Sequence, residues 1–368
     1  MKKVILSIIS AFLSMLFLGV PAAAITPDYF ASQSIVVCSG VQASCGSYTM
    51  SPGDTVQYAV NLELPDEAAL ICIKPDSVLN FVSAGDLAVD DNEGKPFFTA
   101  SLSYTTTDGY FYNLEAMPHG GKGSFTYVLS LTDSPAVGEV GMACDVSVLD
   151  ADGNILSSSE SPRVYSLYMS ISTVDTRLPK SEATSKKEPV VTTYNGQYVG
   201  EGAFTLYTDK EMRHPVSFLE DFREFTVCPD GTDMSTQALA TDLGGYLIVK
   251  GLRSGTYYLC ESEAPVDYYK ATSGPIVITL DLEENDKGEL KMTMTQTPME
   301  QDDNEVVLLR DETRSSTVLL DYKDASSSLV KALLRKPAAV ITMVIIVAIL
   351  AGVRYTAFTA FGKKKSDT

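Results

Sequence analysis

The stretch TYYLCESEAPVDYY, residues 256–269, places a carboxyl, Glu261, directly after a thiol, Cys260, within a run of tyrosines and other strand-forming residues. A carboxyl flanked by Tyr257, Tyr258 and Leu259 is one that burial would drive toward its protonated form. In that form it can donate a hydrogen bond or pass a proton. Few other residues in the chain offer chemistry. Cys38, Cys45, Cys72, Cys144, Cys228 and Cys260 contain no Cys-x-x-Cys spacing, and only His119 and His214 could complete a ligand set, so neither a metal nor a cofactor is expected. No serine-hydrolase elbow, zinc-protease helix or phosphate loop occurs, and the chain reads as a non-enzyme with no catalytic residues. The carboxylates of Asp281–Asp286 and Glu300–Glu305 read as solvated turns, and His119, in Met-Pro-His-Gly-Gly, as a turn residue.

The elements that must hold Glu261 are strands. In Asp54–Leu64, Val56, Tyr58, Val60, Leu62 and Leu64 alternate with mostly polar residues, the period of a half-buried strand. Ser124–Asp133, Gly141–Leu156 (turning at Asp152-Gly153) and Arg163–Ser172 repeat the pattern. No sustained helical period interrupts them, and many short strands at this spacing predict an all-β chain of two β-sandwich domains in tandem. The first is expected over residues 25–175. A Lys/Ser/Thr/Pro-rich linker follows at 176–189, a second strand-rich domain at 190–298, and a juxtamembrane stalk at 299–336 in which EVVLLRD and STVLLDY could form a hairpin.

The two ends of the chain set its compartment. Lys2 and Lys3, the apolar run Val4–Val20, Pro21 and Ala22-Ala23-Ala24 have the layout of a secretory signal cut after Ala24. Pro337–Gly362 is long and apolar enough to span a bilayer with Arg354 reaching to the interface, and Lys363, Lys364 and Lys365 follow as a cytoplasmic stop, leaving a short tail at 363–368. This describes a single-pass membrane protein with an extracellular ectodomain. A formal net charge of −19 excludes nucleic acid as a partner. Six cysteines between signal and anchor, in an oxidising compartment, favour disulfides; six allow fifteen pairings.

The second block carries a resemblance. It contains Gly-Ala-x-Phe-x-Leu with Phe204 and Leu206, then Thr241, Asp242 and Gly245, then Gly251-Leu252, then Gly255, Tyr257, Leu259, Glu261, Ala264, Pro265 and Tyr268. In order and content this resembles the SpaA-like prealbumin-fold (Cna B-type) domain of Gram-positive pilins and adhesins. In that family a first-strand Lys condenses with an Asn or Asp on the last strand, and a buried Glu promotes the isopeptide; Glu261 matches that Glu. The resemblance would put the Lys near Val190–Thr193, where there is none. Lys186 and Lys187 fall in the linker, and Gln296 stands where the family usually has Asn. The isopeptide is therefore not expected. A Cys228–Cys260 disulfide within the same block would substitute, closing a loop of about 30 residues worth roughly 3 kcal/mol in the chain-entropy model. Cys72–Cys144 and Cys38–Cys45 are the pairings expected in the first domain, which is itself similar to Ig-like modules of DUF11 or cohesin type. The resemblance implies a surface structural or adhesion module, pilus-associated, with a protein or host-matrix ligand and with membrane lipid around its helix. The alternative is an envelope assembly or sensing factor that binds another surface protein.

No Leu-Pro-x-Thr-Gly precedes Pro337, and the internal Leu-Pro-Lys-Ser-Glu at 178–182 lacks the Thr-Gly. Retention should therefore depend on lipid burial of the last apolar segment. Deleting 337–368 is expected to release the rest of the chain into the medium, as fractionation and immunoblotting would read. Covalent ladders that survive boiling in detergent would contradict this.

Overall fold

The computed structural model describes residues 30–132, 141–175, 197–266, 268–270, 274–298, 308–309 and 316–322. Its regular elements among these are all strands. The signal segment 1–24, the linker 176–189, the span 337–362 and the tail lie outside the described residues. No helix among those described is long and apolar enough to cross a membrane. The chain forms two compact units. One comprises Met1–Leu167 with Gly251–Ser254 and Leu282–Lys291, and the other Tyr168–Lys250, Gly255–Asp281 and Met292–Thr368.

In the first unit, Val56, Tyr58, Val60, Leu62 and Leu64 are all buried, as their alternation requires. Their strand, Thr55–Leu64, lies between Ala31–Cys38 and Gly121–Leu131 in a six-stranded sheet completed by Leu79–Ala84, Leu87–Asp90 and Pro96–Ala100. The facing sheet runs Ile155–Glu160, Cys144–Leu149, Leu70–Pro75, Gly109–Asn113, Leu102–Thr106. Between them Tyr58 and Tyr127 stack with ring centroids 5.1 Å apart. Buried phenols need acceptors. Tyr58 donates to the Pro162 carbonyl and Tyr127 to Gln33 Oε1, while Gln33 Nε2 donates to the carbonyls of Ser159 and Cys144. The segment 251–254 is held in this unit by Arg253, whose guanidinium grips the buried Asp54 carboxylate through two nitrogens.

One turn recurs. At Asp91–Lys95, Asp150–Asn154 and Asn285–Glu289 the first side-chain oxygen accepts from the backbone amides two and four residues on. The fourth residue is a glycine at φ near +80°. A side-chain acceptor and a left-handed glycine together close these hairpins. Of the carboxylates in Asp281–Asp286, read from the sequence as solvated turns, only Asp286 lies in such a turn; Asp281, Glu283 and Glu284 are on the strand Ile276–Glu284.

No disulfide joins any of the six cysteines in the structure, so none of the expected pairings is formed. Cys72 and Cys144 do lie on hydrogen-bonded neighbouring strands, but on opposite faces. Val146 pairs with Ile73 and Val148 with Ile71 on the core side, which puts Cys144 with the core residues, whereas Cys72 sits across from Ser147 and Phe111 on the other side. Strand parity forbids a bridge there. Burial pushes the Cys144 thiol up to about 12, an inert group. Cys38 and Cys45 are both half-buried and are not joined to one another.

The second unit departs from the expected boundaries at both ends. Its seven-stranded sheet runs Phe218–Asp221, Glu224–Val227, Tyr246–Leu252, Leu167–Asp175, Thr317–Asp321, Leu308–Leu309, with Gln197–Tyr198 also paired to Leu167–Asp175. Its second sheet runs Leu239–Ala240, Ala203–Tyr207, Gly255–Glu263, Ile276–Glu284, Leu290–Pro298. Thus Leu167–Asp175, read from the sequence as the end of the first domain, is the opening strand of the second. Residues within the expected stalk supply its closing one. The hairpin left open by STVLLDY does form, Leu308–Leu309 pairing antiparallel with Thr317–Asp321. The latter pairs in parallel with the opening strand, Ser170 opposite Thr317 through to Val174 opposite Asp321, and the Ser170 and Thr317 hydroxyls are 2.8 Å apart. Val318, Leu319, Leu320 and Tyr322 are all but inaccessible to solvent.

Ending the chain at residue 300 removes those four side chains, each of which stabilises by about 1.5–3 kcal/mol when fully buried. The second unit is expected to unfold at markedly lower urea while the first keeps its midpoint. A second-unit midpoint that does not move would rule out the pairing.

Candidate functional site

Gly255–Glu263 buries Tyr257 and Leu259 on one face, and Glu261 follows on that face two residues later. There its Oε1 accepts a hydrogen bond of 2.9 Å from the hydroxyl of Tyr322. Tyr322 directly follows the closing strand, and its backbone N–H donates to the Val174 carbonyl of the opening strand at 2.7 Å. Tyr268 stands edge-on to Tyr322, centroids 6.2 Å apart, and its hydroxyl is 3.5 Å from Oδ2 of the buried Asp175. Phe204, fully buried, lies across from Glu261 in the sheet. Burial, and then the Glu261 carboxylate, push the Tyr322 phenol far above its ordinary range. It stays neutral and donates. The carboxyl among the tyrosines is therefore the acceptor that lets a phenol be buried where the opening and closing strands meet.

The remaining motif residues hold the opening strand in place. Thr241 bonds Gly202 with both backbone and side chain. Asp242 caps its turn through Tyr246 N at 3.0 Å, and the turn closes at Gly245 with φ +68°. A Cβ at Gly245 would stand 2.6 Å from the Thr173 carbonyl and 2.8 Å from that of Val199, so only glycine fits. In return Thr173 N donates to the Gly245 carbonyl, and its hydroxyl, wholly buried, reaches the Val199 carbonyl.

Of the motif residues, the structure sets Glu261 and Tyr268 each against Tyr322. The lysine it places beside Glu261 is Lys270, whose Nζ donates to the Glu261 backbone carbonyl at 3.3 Å. The opening strand reads Leu-Tyr-Met-Ser-Ile-Ser-Thr-Val-Asp, without an amine, and Glu261 faces a phenol that cannot condense to an amide. Residues 190–193, Lys186 and Lys187 lie outside the described residues. Gln296 sits on Leu290–Pro298 with its Oε1 buried and unpaired. Cys260 has the opposite parity to Glu261 on its strand. It is half-buried, its Sγ lies 3.0 Å from Met212 Sδ, and burial raises its pKa. Cys228 is buried just past Glu224–Val227, a strand of the other sheet, and is not bonded to Cys260. No group of three or more candidate ligands occurs among the described residues. His214 bonds Asp209, and His119 stacks on Phe97 at 4.2 Å. Sequence reasoning missed Tyr322 and Asp175. The available signal was the tyrosine ending STVLLDY, an apolar strand outside the block that carries the motif.

Tyr322→Phe leaves the Glu261 carboxyl without this donor and is expected to lower second-unit stability at neutral pH by about 1–3 kcal/mol. The phenol's folded pKa lies above its unfolded value of about 10, so the folded state keeps its proton to higher pH. Stability is then full below about pH 10 and falls as pH rises beyond it. The variant should flatten that alkaline fall. Urea unfolding near neutrality and at alkaline pH would measure both, and an unchanged alkaline slope would show that Tyr322 does not titrate this way.

Residues 195–297 match the family model described as a SpaA prealbumin-like fold domain. No curated protein matches the sequence. Among solved structures, the pilus backbone RrgB from Streptococcus pneumoniae aligns at 10% identity over 80% of this chain and 99% of its own, with a TM-score of 0.47. The 35 kDa C-terminal fragment of the major pilin GBS80 of Streptococcus agalactiae aligns at 12% identity over 80% and 100%, TM-score 0.43. The group B streptococcus pilus 2b backbone protein aligns at 14% over 80% and 98%, TM-score 0.43. The segment 195–297, similar to the SpaA prealbumin-like fold domain, thus holds a motif glutamate that accepts from the tyrosine directly after the closing strand.

Proposed function

We propose that this chain is a membrane-anchored structural module of a Gram-positive-type cell surface, a pilus-associated stalk that bears tension and engages other envelope proteins. The observation that carries the reading is the parallel pairing of the second unit's opening and closing strands. Load passing along the chain enters the opening strand at its N-terminal end, near Leu167, and leaves the closing strand at its C-terminal end, at Tyr322. In a parallel pair these points are at opposite ends. The two strands are pulled past one another and their hydrogen bonds are loaded together; an antiparallel hairpin pulled at its open end yields one bond at a time. The bond between Tyr322 and Glu261, with Tyr322 N on Val174, sits where the load leaves. A covalent cross-link in this position would serve the same mechanical end, and the SpaA-type match at 195–297 supports a surface role. Among the described residues the first unit's opening strand Ala31–Cys38 pairs antiparallel with Thr55–Leu64, and the parallel pairing of its late strand Val164–Tyr165 with Tyr48–Thr49 spans only two residues.

Single-molecule pulling on the whole chain, held at its two ends, should rupture the first unit before the second, and Tyr322→Phe should lower the second unit's force alone. Forced opening is governed by the unfolding barrier, so the shift reads the bond directly. Rupture in the reverse order, or a force indifferent to Tyr322→Phe, would remove the tension-bearing reading.

A further inference from the structure

The strand Ala31–Cys38 ends the six-stranded sheet of the first unit. Among the described strands it pairs only with Thr55–Leu64, so half of its backbone donors and acceptors face away from any neighbour in the sheet. Proteins usually blunt such an edge with lysine, proline or brevity. Here the strand has eight residues, Ala-Ser-Gln-Ser-Ile-Val-Val-Cys, with neither charge nor proline. A bulge between Ile35 and Val37 leaves Val36 and Val37 55% and 58% exposed, and Phe30 (59%) and Val41 (42%) extend the apolar margin. The inner side of the strand is fixed, because Gln33 is held through Ser159, Cys144 and Tyr127. The edge is therefore presented rigidly.

Charge indicates what it receives. Residues 29–53 contain no Asp, Glu, Lys or Arg, in a chain that is 20% charged with a net charge of −19. The first charge after this stretch, Asp54, is buried on Arg253. A cationic or anionic partner finds nothing here to select it. A second copy of the same chain, repelled by the acidic surface at large, meets no like charge at this margin. We propose that Ala31–Cys38 is a homotypic docking edge that pairs antiparallel with the same strand of a second copy. The contact is two-fold and self-complementary. It continues the sheet across the pair and sets exposed valines against one another. Its existence does not depend on the tension-bearing reading of the second unit.

The test is the oligomeric state of the full-length chain in detergent micelles, by sedimentation over a range of concentrations and salt. The wild type is expected to dimerise, more tightly as salt rises, because salt screens the repulsion between acidic copies while leaving the uncharged edge unaffected. Val37→Lys puts like charges on both copies at the edge and should weaken the dimer by about tenfold or more. Val37→Thr, neutral and suited to strands, should keep it. A wild type that stays monomeric throughout overturns the proposal, as does a dimer indifferent to Val37→Lys, which would point to the membrane span. An edge that binds a different protein's strand while copies remain apart overturns it too.

Discussion

The second unit rests on one pairing, between strands whose matched residues Ser170 and Thr317 are 147 positions apart. Closing so long a loop costs entropy, although only roughly 0.6 kcal/mol for each doubling of length. The return is burial of Val318, Leu319, Leu320 and Tyr322 together with a complete parallel ladder. Much else in the unit serves that pairing. Gly245 is a glycine because the opening strand's Thr173 leaves no room for a side chain. Thr241 and Asp242 shape the turn that carries Gly245. Glu261 accepts the phenol that anchors the closing strand.

Both units resolve the same difficulty in the same way. A chain without tryptophan uses tyrosine for bulk in its cores and must then provide for each hydroxyl. In the first unit the acceptors are the Pro162 carbonyl and the Gln33 amide, neutral groups on the sandwich margin. In the second the acceptor is a carboxyl. A charged acceptor makes a stronger bond than a neutral one but is more costly to bury, which suits a position that must hold rather than merely fill. This explains why an ionisable residue is tolerated among Tyr257, Leu259 and Phe204.

The thiols show how far spacing can mislead. Even number and oxidising compartment argue for bridges, yet bridging needs two side chains on one face within reach. Cys72 and Cys144 fail by parity, on strands that are nonetheless bonded neighbours. Cys228 follows a strand of one sheet and Cys260 lies on a strand of the other, turned away from the face that Glu261 shares with the core. In neither pair is a bridge needed to bring strands together, because ladders already do so.

Period-two alternation determined the strand at 55–64, its buried face and the all-β class, because burial on one side of a pleated strand is a local property of side-chain order. The turn at Asp152-Gly153 was legible for the same reason. So was the SpaA-type block from Phe204 to Tyr268, where residue types and their order lie close together along the chain. What the tertiary structure alone decided is non-local. Leu167–Asp175 alternates like any other strand, and nothing in its neighbourhood says whether it closes one unit or opens the next. STVLLDY can be read as a strand but not as the parallel neighbour of residues 170–174. Glu261 is visible as an odd carboxyl, but its partner Tyr322 lies 61 positions away, brought to it by strands of two different sheets. Side-chain order sets which face of a strand is buried; only the packing of distant strands sets what that face meets.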